Sequence, residues 1–146
     1  MSTRSAIIVE EESRRARGIY CHSDGYVVHH KPNLLGHYAT EDLARQLVEL
    51  GMLSILGPSI GEQCHFENRP QGQCVAYGRD RGETGESVRP IEGDDWLTVA
   101  RQIGHDGHVY VFRVATQSWW YEGKATGAVD GNPRGRKRFI PLAQVG

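Results

Sequence analysis

The amino-acid sequence predicts one domain of the α+β class, spanning residues 1–146. The predicted fold is an antiparallel sheet of about four or five strands with one main helix, at about residues 40–50, packed on one face. Apolar stretches near both ends of the chain have the pattern of hairpins, and an amphipathic stretch between them has helical spacing. No strand leads into a glycine-rich phosphate loop, so a doubly wound nucleotide-binding fold is not expected.

The first predicted hairpin lies at the N-terminus. Residues 5–12 and 18–22 are rich in β-branched and aromatic side chains, and the arginine-rich stretch between them suits a turn. The Asp24-Gly25 pair predicts a second tight turn. We expect residues 26–28 to extend briefly again before Pro32.

The main helix is predicted between Thr40, whose side chain can cap it, and Gly51, which is suited to the position after its end. Its apolar residues recur every three or four positions and form one face that can lie on a sheet: Leu43, Ala44, Leu47, Val48 and Leu50. Shorter helical turns are predicted around residues 34–35 and over residues 52–56.

The second half of the chain predicts a short strand at residues 74–77 and a long loop that reaches about residue 93. A helix is expected from Asp94 or Asp95 to Ile103. A second hairpin follows, formed by residues 108–114 and 118–121. Residues 139–142 are expected to return to the body of the domain.

Composition excludes several classes of protein. The formal net charge is −1, so the chain lacks the cationic surplus that neutralises nucleic-acid phosphates over a wide surface. No apolar run approaches the roughly 20 residues that a bilayer helix needs, and the N-terminus has no signal-peptide pattern, which predicts a cytoplasmic protein. Three cysteines at unrelated spacings predict free thiols.

The densest polar stretch surrounds the predicted turn at Asp24-Gly25. It contributes four candidate ligand- or partner-binding residues: Tyr20, His22, Asp24 and Tyr26. Because alternate residues of a strand share a face, Tyr20 and His22 should point together, whereas Cys21 should point away from them. A nucleophilic pair of Cys21 with His22 is therefore disfavoured.

The ligand types allow two interpretations as a metal site. One joins His22 and Asp24 to His29, His30 or His37, although this spacing matches no recurrent zinc pattern. The other has enough ligands but lacks a Cys-x-x-Cys pair, and its members would be Cys21, Cys64, His65 and Cys74. Surface histidines and buried free cysteines are the more frequent outcomes. We therefore predict no metal and no cofactor.

A charged segment after the predicted strand at residues 74–77 is the best candidate for anion binding. Arg79 and Arg81 stand at alternate positions beside Tyr77, and flanking glycines let the backbone approach a ligand. Guanidinium groups bind phosphate or carboxylate through paired hydrogen bonds. In the alternative interpretation, the two arginines pair internally with Asp80, Glu83 or another acid.

The adjacent Trp119 and Trp120 lie on a predicted strand, so one can enter the core while the other faces outward. An exposed tryptophan can stack on a base or anchor a protein interface. The alternative is that both sides of the strand are covered. The basic segment at residues 134–138 supports a nucleic-acid interpretation of the same region.

Several segments together resemble a family of small proteins carried by phages, prophages and plasmids. The matching residues are the opening MSTRS, the run IYCHSDGY at residues 19–26, the helical region from LLGHY at residue 34 to Gly51, and YGRDRGE at residues 77–83, with a further match at residues 109–112. Ser23 and Val27 stand where members of that family usually have Trp and Pro. The resemblance implies carriage by a mobile element and favours a small protein that inhibits or redirects a host or defence system.

The leading prediction is a binding protein without enzymatic activity, which contacts a host or defence protein or sequesters a small, nucleotide-like anion. Its candidate patch combines the residues around the Asp24-Gly25 turn with Tyr77, Arg79, Asp80, Arg81 and an exposed Trp119 or Trp120. The chain has no Walker A, His-Glu-x-x-His or Gly-x-Ser-x-Gly motif. Two alternatives stay open: a metal-dependent phosphate-ester hydrolase or nuclease, with His22 and Asp24 as ligands, and nucleic-acid binding through the basic C-terminal segment.

Overall fold

The first hairpin is the centre of one mixed sheet. A computed structural model describes residues 2–124 and 138–146 of the chain. The strands of the described part are β1 Ser5–Glu10, β2 Ala16–Ser23, β3 Leu53–Ile55, β4 Val75–Ala76, β5 Ile91–Gly93, β6 His108–Arg113, β7 Ser118–Gly123 and β8 Phe139–Pro141. The α-helices are α1 Val27–His37, α2 Glu41–Glu49, α3 Tyr77–Arg81 and α4 Trp96–Gln102, and short 3-10 helices cover Glu86–Val88 and Leu142–Gln144.

The α+β class is confirmed, but the predicted sheet is wrong in size and in direction. Its strands follow the order β4-β3-β2-β1-β6-β7-β8, with β5 also paired to β2. β1 pairs antiparallel with β2 and parallel with β6, and β2 pairs parallel with β3. The parallel pairs join distant parts of the chain, as Ile8 with Val111 shows. Local sequence patterns do not report such pairings, so the sequence predicted too few strands and only antiparallel ones.

Helices cover both faces of this sheet, where the sequence predicted one main helix on one face. α2 is the predicted helix, and its Thr40 side chain accepts a hydrogen bond from the backbone N–H of Leu43, as expected for a cap. Its buried residues share a core with α1 and with Ile7 and Ile19 of the central strands. On the opposite face, Val99 of α4 belongs to a second apolar cluster with residues of β1 and β6.

Close contact of α4 with the sheet depends on a glycine in β2. A Cβ atom at Gly18 would lie 2.6 Å from Ile8 Cγ1 and 3.1 Å from Val99 Cγ1. Asp95 caps the start of the helix, because its carboxylate accepts the N–H of Thr98 at 2.7 Å. Because Gly18 lets α4 approach, the C-terminal end of the helix, at Gln102, reaches a gap in the sheet beside β2.

Three short segments fold differently from the sequence prediction. Residues 26–28 lead into α1 instead of extending, because burial of His30 and Leu34 holds that helix on the sheet. Residues 52–56 contain β3 instead of a helical turn, since a short apolar run has no period that separates the two. The segment at residues 77–81 is α3 instead of a loop, and Gly82 ends it with a φ of 78°.

The second hairpin, β6 and β7, is confirmed, and β8 extends it along the edge. Trp119 is the inward tryptophan of β7 and donates its indole N–H to the carbonyl oxygen of Tyr38 at 2.8 Å. Trp120 lies on the opposite face. No helix in residues 2–124 and 138–146 is long and apolar enough to cross a bilayer.

Candidate ligand cleft

The candidate site lies at a gap beside β2. On the side away from β1, β5 pairs with residues 16–18 of β2 and β3 pairs with Cys21 and Ser23, so neither strand reaches Tyr20. A cleft of about 420 Å³ opens at this gap. We call it the tyrosine cleft, because Tyr20 and Tyr77 both line it together with Arg81. The first hairpin and the segment after β4 therefore meet at one cavity.

Tyr20 lines the tyrosine cleft; its backbone pairs with Ala6 of β1 on one side, but no described strand pairs with it on the cleft side. Its N–H donates to the thioether sulfur of Met52 at 3.0 Å, and sulfur is a weak acceptor. Its hydroxyl lies 2.5 Å from Nδ1 of His22, which is two residues further along the same strand face. Burial raises the pKa of Tyr20, so its hydroxyl keeps its proton at neutral pH.

Tyr77 and Arg81 reach the cleft from one side of α3, because residues four apart on a helix share a face. The Arg81 guanidinium lies 5.9 Å from the centroid of Tyr77 and 5.1 Å from that of Phe66. It pairs with Glu83 at 3.6 Å, and the two side chains are 53% and 42% exposed. Such an exposed pair is weak and leaves the guanidinium open to a ligand.

The remaining walls of the cleft combine apolar and acidic side chains. Glu83 and Glu86 add two carboxylates beside the one guanidinium. The apolar part is formed by Met52, Val88, Ile91 and Ile103. The wall at Val88 is fixed by the N–H of Met52, which donates to the Val88 carbonyl oxygen at 3.0 Å. The tight turn that allows this contact is at Gly51, with a φ of 79°.

Arg79 and Asp80 belong to the framework beneath the cleft. The Asp80 side chain is fully buried and accepts the backbone N–H groups of Ala76 and Cys64 at 2.8 and 2.9 Å. Arg79 pairs with it at 2.9 Å and donates to two backbone carbonyl oxygens, those of Ile60 and Cys74. Burial alone would raise the pKa of Asp80, but these hydrogen bonds outweigh it and the pKa is lowered. The structure thus corresponds to the alternative of internal pairing for Arg79, and Arg81 also forms the pair with Glu83 that this alternative named, although that pair is exposed.

Asp24 and Tyr26 are not brought into the tyrosine cleft. The Tyr26 hydroxyl donates to the Asp24 carboxylate at 2.9 Å, and Tyr26 is 39% exposed. The two tryptophans also lie elsewhere, Trp119 in the core and Trp120 beside Arg113, whose guanidinium is 5.0 Å from its ring centroid. Of the ten candidate residues, the structure therefore brings Tyr20, Tyr77 and Arg81 to one cavity, with His22 at its border.

A second depression adjoins the cleft on the other side of His22, and of its lining residues only His22 was a candidate from the sequence. We call it the basic basin; its volume is about 590 Å³, and Arg4, His22, Asp106 and Lys124 line it. Arg4 holds Asp106 through Nη2 to Oδ1 at 3.0 Å and Nε to Oδ2 at 3.3 Å. These hydrogen bonds lower the pKa of Asp106 to about 2. Sequence reasoning missed the basin because its charges are scattered along the chain.

The two metal interpretations gain no ligand set. In residues 2–124 and 138–146, no group of three or more His, Cys, Asp or Glu side chains could hold an ion. His30 is buried and hydrogen-bonds Ser5 Oγ at 2.9 Å. Cys21 and Cys74 are buried thiols, and burial raises the pKa of Cys21 to about 12.

The basic C-terminal segment lies outside the described residues except for Arg138, which is exposed. The nucleic-acid interpretation that depends on it stays a prediction. Searches against protein-family models, curated proteins and solved structures each found no significant match for this chain.

Proposed function

We propose that this chain is a binding protein without enzymatic activity, which captures a small, planar, anionic ligand of nucleotide type in the tyrosine cleft. One observation carries the proposal: Tyr20 of the first hairpin and Tyr77 and Arg81 of α3 line one open cavity. Aromatic faces and a guanidinium are the groups that stack on and hydrogen-bond a nucleobase.

The chemistry of the cleft walls supports a nucleobase better than a simple anion. A bare anion would meet Glu83 and Glu86 as well as Arg81, and the two carboxylates would repel it. A nucleobase has hydrogen-bond donors and acceptors at its edge, so carboxylates can accept from its amino or ring N–H groups while Arg81 donates to its oxygen or nitrogen atoms. The apolar side chains around them fit the faces of the ring.

The resemblance to proteins of mobile elements supports a biological setting for this capture. A small protein that sequesters a nucleotide would deprive a host defence system of its signal. The alternative partner is a host or defence protein that docks on the same surface. For the hydrolase alternative, the described residues provide no ligand set for a metal, so we favour binding over catalysis.

Calorimetric titration with nucleosides and nucleoside monophosphates tests the proposal. Arg81→Ala should weaken binding by about tenfold, because a hydrogen bond to a charged group contributes about 1.5 kcal/mol or more. Tyr77→Leu, which keeps apolar bulk but removes the aromatic face, should weaken it to a similar extent.

A matched control is Arg15→Ala at the far end of the first hairpin. Arg15 is 58% exposed and pairs with one carboxylate, that of Asp94, so it resembles Arg81 in exposure and pairing. This variant should bind as the wild type does. If no nucleoside or nucleotide binds to the wild type, or if both arginine variants bind equally well, the proposal is wrong.

A further inference from the structure

We infer that the ligand carries its phosphate in the basic basin, so that one nucleotide occupies both depressions, with its base in the tyrosine cleft and its phosphate beside Lys124 and Arg4. The inference rests on the proposed function, because it takes the base to lie between Tyr20 and Tyr77. It adds a second binding site and names the ligand class, a nucleoside phosphate.

The two depressions are bordered by one pair of neighbouring side chains. Tyr20 lines the cleft and His22 lines the basin. Their rings have centroids 5.9 Å apart and share the hydrogen bond between Oη and Nδ1. Tyr20 and His22 lie on one face of β2, so the cleft and the basin border the same short stretch of that strand. In the proposed pose, the ribose crosses this pair of side chains and joins the base in the cleft to the phosphate in the basin.

The charges of the basin favour an anion, in contrast to those of the cleft. Arg4 and Lys124 carry two positive charges and Asp106 carries one negative charge. The Asp106 carboxylate engages two side-chain groups of Arg4, Nε and Nη2, out of the five N–H donors of a guanidinium. The remaining donors and the Lys124 ammonium can form charge-assisted hydrogen bonds to phosphate oxygens.

Strand directions place these side chains together at one end of the sheet. Arg4 precedes β1 and Asp106 precedes the parallel strand β6, and the Asp106 N–H donates to the Arg4 carbonyl oxygen at 3.0 Å. Lys124 follows β7, which is antiparallel to β6, and its N–H donates to the Gly107 carbonyl oxygen at 2.8 Å. His22, near the C-terminal end of β2, lies at the same end of the sheet. The basin is thus held by backbone hydrogen bonds as well as by an ion pair.

The experiment compares ligands with and without phosphate on the full chain. Adenosine, AMP, guanosine, GMP and inorganic phosphate are titrated into the wild type and into the Lys124→Ala variant. For at least one base, we expect the monophosphate to bind about tenfold more tightly than its nucleoside. Lys124→Ala should remove most of that preference and leave the affinity for the nucleoside unchanged. Lys124→Arg should retain the preference, because it keeps the charge.

The outcomes separate this inference from the proposed function. Equal affinity for nucleoside and monophosphate, or a preference that persists in Lys124→Ala, overturns the phosphate site while the tyrosine cleft stands. Inorganic phosphate that binds through Lys124 without any preference for a monophosphate would mean an anion site unconnected with the cleft. Absence of binding for every nucleoside and nucleotide refutes the proposed function itself. The Arg15→Ala variant controls for the general loss of positive charge.

Discussion

Acid should destabilise this protein through His30, which is fully buried where α1 packs on the sheet. Its Nε2 hydrogen-bonds Ser5 Oγ at 2.9 Å, and its ring centroid lies 4.9 Å from that of Tyr110. Nδ1 has no hydrogen-bond partner among the residues that the structure describes. Burial, with a smaller effect from the nearby imidazoles of His29 and His108, lowers the pKa of His30 to about 3.

The pH range of the effect follows from the two protonation states of this imidazole. In the unfolded chain it takes up a proton near pH 6.5, whereas in the folded protein it stays neutral down to about pH 3. Unfolding therefore binds a proton between these values, and stability falls as the pH is lowered through this range. The slope approaches about 1.4 kcal/mol per pH unit, but half of the unfolded imidazoles are already protonated at pH 6.5, so lowering the pH from about 6.5 to about 4.5 should remove about 2 kcal/mol. This is a large fraction of the roughly 5–15 kcal/mol that holds a typical domain folded.

Urea unfolding of the wild type and of His30→Gln at a series of pH values measures this contribution. The variant lacks the imidazole of residue 30, so its free energy of unfolding should fall less steeply with decreasing pH. Between pH 6.5 and 4.5, its slope should be smaller than that of the wild type by about 1 kcal/mol per pH unit. His37→Gln is the control, since His37 lies on the same helix but is exposed. Equal slopes for His30→Gln and the wild type would refute the reasoning. The reasoning would also be refuted if NMR showed that the imidazole of His30 itself titrates near pH 6.5 in the folded protein.

Two further predictions concern the framework around the cleft. Asp80→Asn removes the buried carboxylate that holds Arg79 and should lower the free energy of unfolding by about 3 kcal/mol. The control is Asp94→Asn, at a carboxylate that is 93% exposed, and it should lower the free energy of unfolding by less than about 1 kcal/mol. Equal losses in urea unfolding would contradict the framework role. Gly18→Ala forces a methyl group against β1 and α4 and should lower stability by about 1–3 kcal/mol. Gly36→Ala in α1 is the control, because a Cβ atom there meets open space, and it should be neutral or slightly stabilising. Thermal melts compare the two variants, and equal melting temperatures would refute the packing argument.

Elements that depend on neighbouring residues were predictable from the sequence. The helix α2 has its cap, its apolar period and its terminal glycine within about a dozen residues, and the structure places Thr40 as the cap. The hairpins of β1 with β2 and of β6 with β7 were likewise predictable, because runs rich in β-branched and aromatic residues flank short polar turns. Each of these features is fixed by contacts that are local in the chain.

Features that depend on distant pairings were not predictable. The gap beside Tyr20 exists because β3 and β5, from different parts of the chain, each cover only one end of β2. The basic basin likewise combines Arg4 with Lys124 through the parallel pairing of β1 and β6. No local sequence pattern shows where β3 and β5 end along β2. The sequence could therefore predict individual residues of the site but not the cavity between them.

Arg79 and Arg81 have different surroundings because the segment at residues 77–81 is a helix and not an extended loop. In an extended loop, residues two apart point the same way, which is why the sequence predicted both arginines on one anion-binding patch. In α3, residues two apart lie on nearly opposite sides of the helix. Arg79 therefore turns inward to Asp80, while Arg81 shares the cleft face with Tyr77. Both arginines thus have an internal acidic partner, but the Arg79 pair is buried, whereas the pair of Arg81 with Glu83 is exposed at the cleft.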